Sequence, residues 1–241
     1  MADAKVLDLE LMSGAANYHR WLLEQVAPEM GRRILEVGAG IGNYTQYFRE
    51  AELVVCVEPH APAAARLRET FCQSQNVLVV QSDICDPALA GLSTHGCDTA
   101  ICFNVLEHID DDVAALTNIA RILAPGGRLL LIVPALPMIF GSIDRTVGHF
   151  RRYLPATLSR ALAATGYRVE RMNWMNLFGI VPWWVNNRLL RRGEESATQI
   201  RVYDRYVVPC VRWLERRVRP PLGLSLVAVA STPAASNQKA A

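Results

Sequence analysis

From Arg33 onward, short apolar runs alternate with helix-patterned segments, and this alternation restricts the fold more than anything else in the chain. Arg33 to Val37, Leu53 to Val57, Val77 to Gln81, Thr99 to Phe103 and Arg128 to Val133 are apolar runs of strand length. Between them, Asn43 to Glu50, Ala61 to Cys72 and Asp111 to Leu123 read as helices, the last stopping at Pro125, Gly126 and Gly127. Apolar strands separated by helices indicate a parallel sheet covered on both faces. Right-handed crossovers then give an α/β, doubly wound layer. Ligands of such sheets bind beyond the carboxyl ends of the strands, so the residues that follow each run are where chemistry is sought.

The flanks add to this frame. Leu9 to Ala27 has helical spacing, with Leu11, Tyr18, Trp21, Leu22 and Val26 on one stripe. After Val133 comes a Pro- and Gly-containing loop to Phe150, a helix from Pro155 to Ala164 and a sixth strand from Tyr167 to Asn173. Phe178 to Arg192 and Ile200 to Val218 are helical and rich in arginine, Leu224 to Ala230 is a final strand, and 232–241 has the composition of a disordered tail. Residues 1–231 therefore read as one domain, with a helical cap over about 175–221 inserted between the last two strands.

Net charge is only +2, too small a field to imply a nucleic-acid partner. Lys5 and Lys239 are the only lysines; every other basic residue besides histidine is arginine. The six cysteines show no CxxC pair and no metal-ligand spacing, so they read as reduced thiols and no metal site is expected. Met1 to Glu10 lacks the apolar run of a signal peptide, and no stretch is long enough to span a membrane. The expected location is the cytoplasm.

The turn Glu36, Val37, Gly38, Ala39, Gly40, Ile41, Gly42 lets the backbone bend tightly and approach a ligand without a Cβ in the way. Glu58 stands at the end of the next strand, where a carboxylate accepts both hydroxyls of a ribose. Asp83 ends the third strand and can take an adenine amino group, with Ile84 beside the ring. Glu36 would repel a pyrophosphate and attract an ammonium, directly or through water. Asn43 stands where a dinucleotide motif places its third glycine. An NAD-dependent oxidoreductase is therefore the weaker alternative, together with a scaffold that only binds.

These motifs, with Phe103 to His108 and the Leu123 to Gly127 turn, resemble the successive motifs of the class I S-adenosylmethionine-dependent methyltransferases, type 11/12 subgroup. The resemblance covers about Tyr18 to Val133. It implies a Rossmann-like, seven-stranded, mostly parallel sheet whose last strand is antiparallel. It also implies S-adenosyl-L-methionine as cofactor, held by Glu36, Gly38, Ala39, Gly40 and Gly42 at the amino-acid part, Glu58 and Pro59 at the ribose, and Asp83 and Ile84 at the adenine. Asn104, Val105 and Leu106 would line the methionine side.

The acceptor end is less determined. Glu107 and His108 invite a catalytic reading, against which His108 can simply pack and Asp110 to Asp112 cap the following helix. The loop Asp144, Arg145, His149, Arg151, Arg152, Tyr153 lies at the same sheet edge. His149 is the expected general base, oriented by Asp144, and the pair Arg151 and Arg152 can clamp a carboxylate or phosphate. Tyr18, His108 and Trp183 are further substrate candidates, and Trp174, Phe178 and Trp184 join Trp183 as expected lining of an apolar pocket. The expected reaction is O- or N-methylation of a small, partly apolar acceptor. Its basic, aromatic cap offers peripheral contact with a membrane and access for a lipid-like acceptor.

Overall fold

The computed structural model describes residues 4–190 and 197–234. Seven strands form one sheet in the order β3-β2-β1-β4-β5-β7-β6: β1 (Arg33–Val37), β2 (Leu53–Val57), β3 (Val77–Val80), β4 (Cys97–Phe103), β5 (Leu123–Pro134), β6 (Arg168–Met175) and β7 (Ser225–Ser231). The pairs β1–β2, β1–β4, β2–β3 and β4–β5 are parallel, and β7 runs antiparallel to both β5 and β6. Strand order reverses between β1 and β4, which opens a crevice at their carboxyl ends. The expected doubly wound sheet with an antiparallel last strand is the one observed.

Residues alternate between the two faces, as the pleat requires. Leu35, Val37, Val55, Val57, Leu129 and Leu131 pack with α4 (Asp112–Ile122) and α6 (Pro155–Ala164) on one face. Ile34, Val54, Cys56, Ile101, Leu130 and Ile132 pack with Trp21 and Leu22 of α2 (Ala16–Glu24) and with Val208 on the other. Asp111 caps α4 by accepting from the Ala114 N–H at 2.8 Å. The helix α3 (Ala61–Thr70) starts with a proline in its first turn, where the missing N–H costs nothing.

Four expectations need correction. Leu9 to Ala27 is not one helix: α1 (Ala4–Ser13) and α2 are separated at Gly14, whose freedom in an otherwise helical run favours the break. Asn43 to Glu50 forms turns and a single 3₁₀ segment, Thr45–Tyr47. Its side chains are engaged elsewhere: Asn43 Nδ2 donates to the Leu9 carbonyl and Thr45 Oγ1 to Glu36. The loop after β5 contains a short helix, α5 (Ser142–Thr146). Thr232 does not belong to a free tail: it is buried, and it bonds Gly127 through its N–H and Ala124 through its hydroxyl. The rest of that expected tail, from 235 on, lies outside the described residues.

The cap consists of α7 (Ile180–Trp184) continuing into a π-helical turn, Val185–Leu189, and of α8 (Ala197–Val202), a second π-helical turn, Tyr203–Val207, and α9 (Val208–Glu215). Each π turn adds a residue to the helical circuit. The buried residue of the first is Asn187 and that of the second is Asp204. Asp204 accepts from the backbone N–H of Asn17 and Tyr18, fastening the cap to α2.

Candidate active site

At the cofactor end, Gly38, Gly40 and Gly42 have φ of +68°, +58° and +96°, the left-handed region that L side chains avoid. A Cβ on Gly38 would stand 2.5 Å from the Val105 side chain. The Glu58 carboxylate is buried and ties the strand end to this turn: Oε2 accepts from the Gly40 N–H at 2.8 Å and Oε1 from the His60 N–H at 2.9 Å. Each carboxylate oxygen has a second lone pair for a ribose hydroxyl. Pro59 is exposed beside it. Asp83 is exposed at the end of β3, with Oδ1 taking the Cys85 N–H, and Ile84 is buried next to it.

Glu36 turns inward. It accepts from Thr45 Oγ1 at 2.8 Å and lies 3.8 Å from Cys56 Sγ. Burial pushes its pKa up to about 7, against the lowering effect of these hydrogen bonds. It supports the turn from beneath. Helix α1, which the sequence pattern placed in a longer helix, crosses the turn: Leu9 meets the Gly40 face, and a Cβ there would come 3.2 Å from its methyl. Ala39 and Leu106 are buried, while Asn104 and Val105 are partly accessible. Asn104 holds a positive φ of 52°, a strained setting for a non-glycine residue at a strand end. The glycine cradle, the buried Glu58 acceptors and the strained Asn104 fit an adenosyl amino acid at this edge.

Asn104 also lines a cavity of about 580 Å³ that runs under the cap. Met12, Ala15, Tyr18, Glu107, His149 and Arg152 share its wall with Trp183, Tyr203 and Val207. Of the aromatic residues expected to line it, Trp183 does. Trp174 packs on the sheet core, and Phe178 and Trp184 face solvent.

The loop after β5 builds a dyad. Asp144 is fully buried and accepts from Gly141 N–H at 3.0 Å, Asn187 Nδ2 at 2.7 Å, Arg152 Nε at 2.7 Å and His149 Nδ1 at 2.9 Å. Burial raises the Asp144 pKa, but the His149 hydrogen bond, the Arg152 charge and the other donors outweigh it and bring it to about 2. A carboxylate at this distance holds the proton on Nδ1 and leaves the Nε2 lone pair facing the cavity, 3.9 Å from Glu107 Oε1. Neither oxygen of the buried Glu107 has a hydrogen-bond partner. Burial raises its pKa to about 8, with the Arg152 charge opposing.

His108 is exposed and meets the His149 ring edge-on at 4.5 Å between centroids. The two arginines do not converge. Arg152 is spent on Asp144 and the Ala135 carbonyl and lies over the Trp183 ring. Arg151 points away, to the Ile109 and Asp110 carbonyls and to Asp112 at 3.1 Å. A two-arginine clamp is therefore not what the structure forms, because each guanidinium is already held by protein acceptors.

Two features escape sequence reasoning. Asn187 links the cap to the dyad: its Oδ1 takes the Ile143 N–H at 2.7 Å while its Nδ2 reaches Asp144 and the Ile139 carbonyl. The only hint is a polar Asn pair within the apolar run Trp183 to Leu190. Glu107, His108 and His149 bring one ligand atom each to within 4.8 Å of one another, the donor set of a divalent cation site. Spacing along the chain shows nothing of this cluster, because His149 is supplied by a distant loop.

The family described as "Methyltransferase domain" matches residues 35–129 of this chain. A ubiquinone biosynthesis O-methyltransferase of Xanthomonas oryzae pv. oryzae is 27% identical over 177 residues, 68% of this chain and 73% of that protein. A highly reducing polyketide synthase of Strobilurus tenacellus is 31% identical over 121 residues, 44% of this chain, and the chain spans only 4% of its length. Among solved structures, the YcgJ protein of Bacillus subtilis superimposes with a TM-score of 0.59 at 17% identity, covering 90% of this chain and 99% of that one. With this fold and this crevice, the match over residues 35–129 supports a class I S-adenosylmethionine-dependent methyltransferase with S-adenosylmethionine as cofactor. The oxidoreductase alternative falls with that assignment.

Proposed function

We propose that the enzyme methylates a hydroxyl or amine of a small, partly apolar acceptor seated in the cavity beneath the cap, with His149 as general base. The reading is carried by one observation: His149, paired with the buried Asp144, stands on the wall of the same cavity that reaches Asn104 at the cofactor end. Gly38, Ala39, Gly40 and Gly42 would hold the amino-acid part of the cofactor, with Glu36 supporting the turn beneath it. Glu58 and Pro59 would hold the ribose, Asp83 and Ile84 the adenine, and Asn104, Val105 and Leu106 the methionine side.

Bound S-adenosylmethionine supplies an already activated sulfonium methyl. The protein's work is then to align the acceptor and remove its proton. Asp144 fixes the His149 tautomer, and Nε2 takes the acceptor proton as the new bond forms. Arg152 holds the dyad's carboxylate and Trp183 walls the cavity, which selects a partly apolar partner. Tyr18 lines the cavity and His108 braces His149 from outside it. The O-methyltransferase name of the Xanthomonas relative supports oxygen as acceptor. Six free cysteines, three of them buried, fit a reducing cytoplasmic setting.

The test is a panel of apolar phenols, alcohols and amines incubated with enzyme and S-adenosylmethionine and read by mass spectrometry. Addition of one methyl to oxygen or nitrogen is expected. Methylation at carbon alone, or cofactor binding with no turnover on any acceptor, would overturn the proposal.

A further inference from the structure

The cap shows different faces to the cavity and to solvent. Pro182, Trp183 and Asn186 of its first helix and Ile200, Tyr203 and Val207 of its second line the cavity. Other positions of the same helices point outward and are apolar: Val181 and Leu189 are each 66% exposed, Tyr206 63% and Trp213 58%. Eleven of the eighteen exposed large apolar residues among the described ones fall between Phe178 and Leu222. So dense an outward concentration marks an interaction surface rather than scattered exposure.

Among the described residues, the exposed charge on this face has one sign. Arg188, Arg201, Arg205, Arg217 and Arg219 are exposed and form no ion pair among the described residues, while Arg212 and Arg216 pair with Glu24 of α2. The described acids of the cap are turned in: Asp204 to the N–H groups of Asn17 and Tyr18, Glu215 to those of Asn176 and Leu177. Arg205 lies over the Tyr206 ring and Arg217 over the Trp213 ring, so cations and aromatic rings occupy the same layer.

We propose that this outer face seats the enzyme on an anionic phospholipid surface. A basic, aromatic-rich amphipathic helix lies in the plane of a bilayer interface, with its rings among the headgroups and its arginines on the anionic lipids. A second copy of the chain fits less well, since a two-fold contact would set the same arginines against each other. No helix among the described residues is long and apolar enough to cross a membrane, so the contact is peripheral. Pro182 and Val202 line the cavity and are also exposed, which places its mouth on the apolar rim of this face. An acceptor with an apolar tail would then enter from the bilayer. That entry path rests on the acceptor cavity proposed above, whereas the surface binding does not.

Flotation of the purified protein with vesicles of phosphatidylcholine alone, or with added phosphatidylglycerol, tests the proposal at low and high salt. Flotation is expected with the anionic vesicles at low salt, weakening with salt and with neutral vesicles. Arg205→Glu and Arg217→Glu should each weaken it by at least about fivefold, the effect of one arginine near an anionic surface. The double variant Val181→Glu with Trp213→Glu should abolish it while S-adenosylhomocysteine affinity, which reports folding, stays unchanged. No flotation with anionic vesicles at low salt would overturn the proposal, as would flotation that the double variant retains. A wild-type dimer in sedimentation that the double variant dissociates would instead assign the face to a second copy.

Discussion

The two ends of the proposed active site are built in opposite ways. At the cofactor end, short stretches of chain carry their own geometry: three glycines with positive φ, and Glu58 reaching back to the Gly40 N–H at 2.8 Å. At the acceptor end, contacts within the loop after β5 are joined by one from far along the chain. His149 faces the cavity because Asp144 holds it, and Asp144 is held by Arg152, by Gly141 and by Asn187 from the cap. The first kind of site reads from spacing and resists change outside its own few residues. The second is completed by the cap through Asn187, and it is therefore sensitive to a residue far along the chain.

The comparison breaks most severely at the glycine turn. Gly38→Ala imposes a left-handed φ on a residue with a Cβ, about 1–2 kcal/mol, and drives that Cβ against Val105, an overpacking of about 1–3 kcal/mol. A lowered Tm and loss of S-adenosylhomocysteine binding by calorimetry are the expected results; wild-type affinity would show that the turn does not cradle the ligand. At the other end, Asn187→Ala leaves the Ile143 N–H, the Ile139 carbonyl and one Asp144 oxygen short of a partner, each about 1–3 kcal/mol when buried. Turnover should fall about tenfold or more with cofactor affinity kept, the mark of a positioning residue. Affinity falling in parallel would mean that the two ends are not separable.

The smallest effect is in pH. Glu107 has its pKa raised to about 8 by burial, so the folded protein binds more protons than the unfolded chain from about pH 4.5 to about 8. Its favourable contribution is complete below the unfolded value and is lost as pH rises through the folded one. Glu36, raised to about 7, acts in the same direction. Glu107→Gln should therefore gain Tm relative to wild type as pH increases across this window, roughly 2–4 °C per kcal/mol removed. A Tm difference independent of pH would mean that Glu107 is not the group that titrates.

What the sequence made legible follows the same division. The strands Arg33–Val37 and Leu53–Val57 and the helix Pro155–Ala164 lie where apolar runs and a leading proline put them, because buried parallel strands and capped helices are specified locally. The Asn43 to Glu50 segment departs from its helical pattern where Asn43 and Thr45 spend their side chains on Leu9 and Glu36, contacts that no local pattern reveals. Arg151 and Arg152 are adjacent in sequence, which suggested a clamp; their guanidinium groups diverge to Asp112 and Asp144. The π turns that carry the buried Asn187 and Asp204 have no signature in composition; they pack against α5 and α2, distant segments of the chain.

The claim at the centre is that Asp144 and His149 serve the acceptor and not the cofactor. It is tested most directly by measuring turnover and S-adenosylhomocysteine affinity on the same preparation of His149→Ala. A rate lowered by about 10²–10⁴-fold, as for loss of a general base, with cofactor affinity unchanged is the expected result. Unaltered turnover, or affinity lost together with rate, would contradict it.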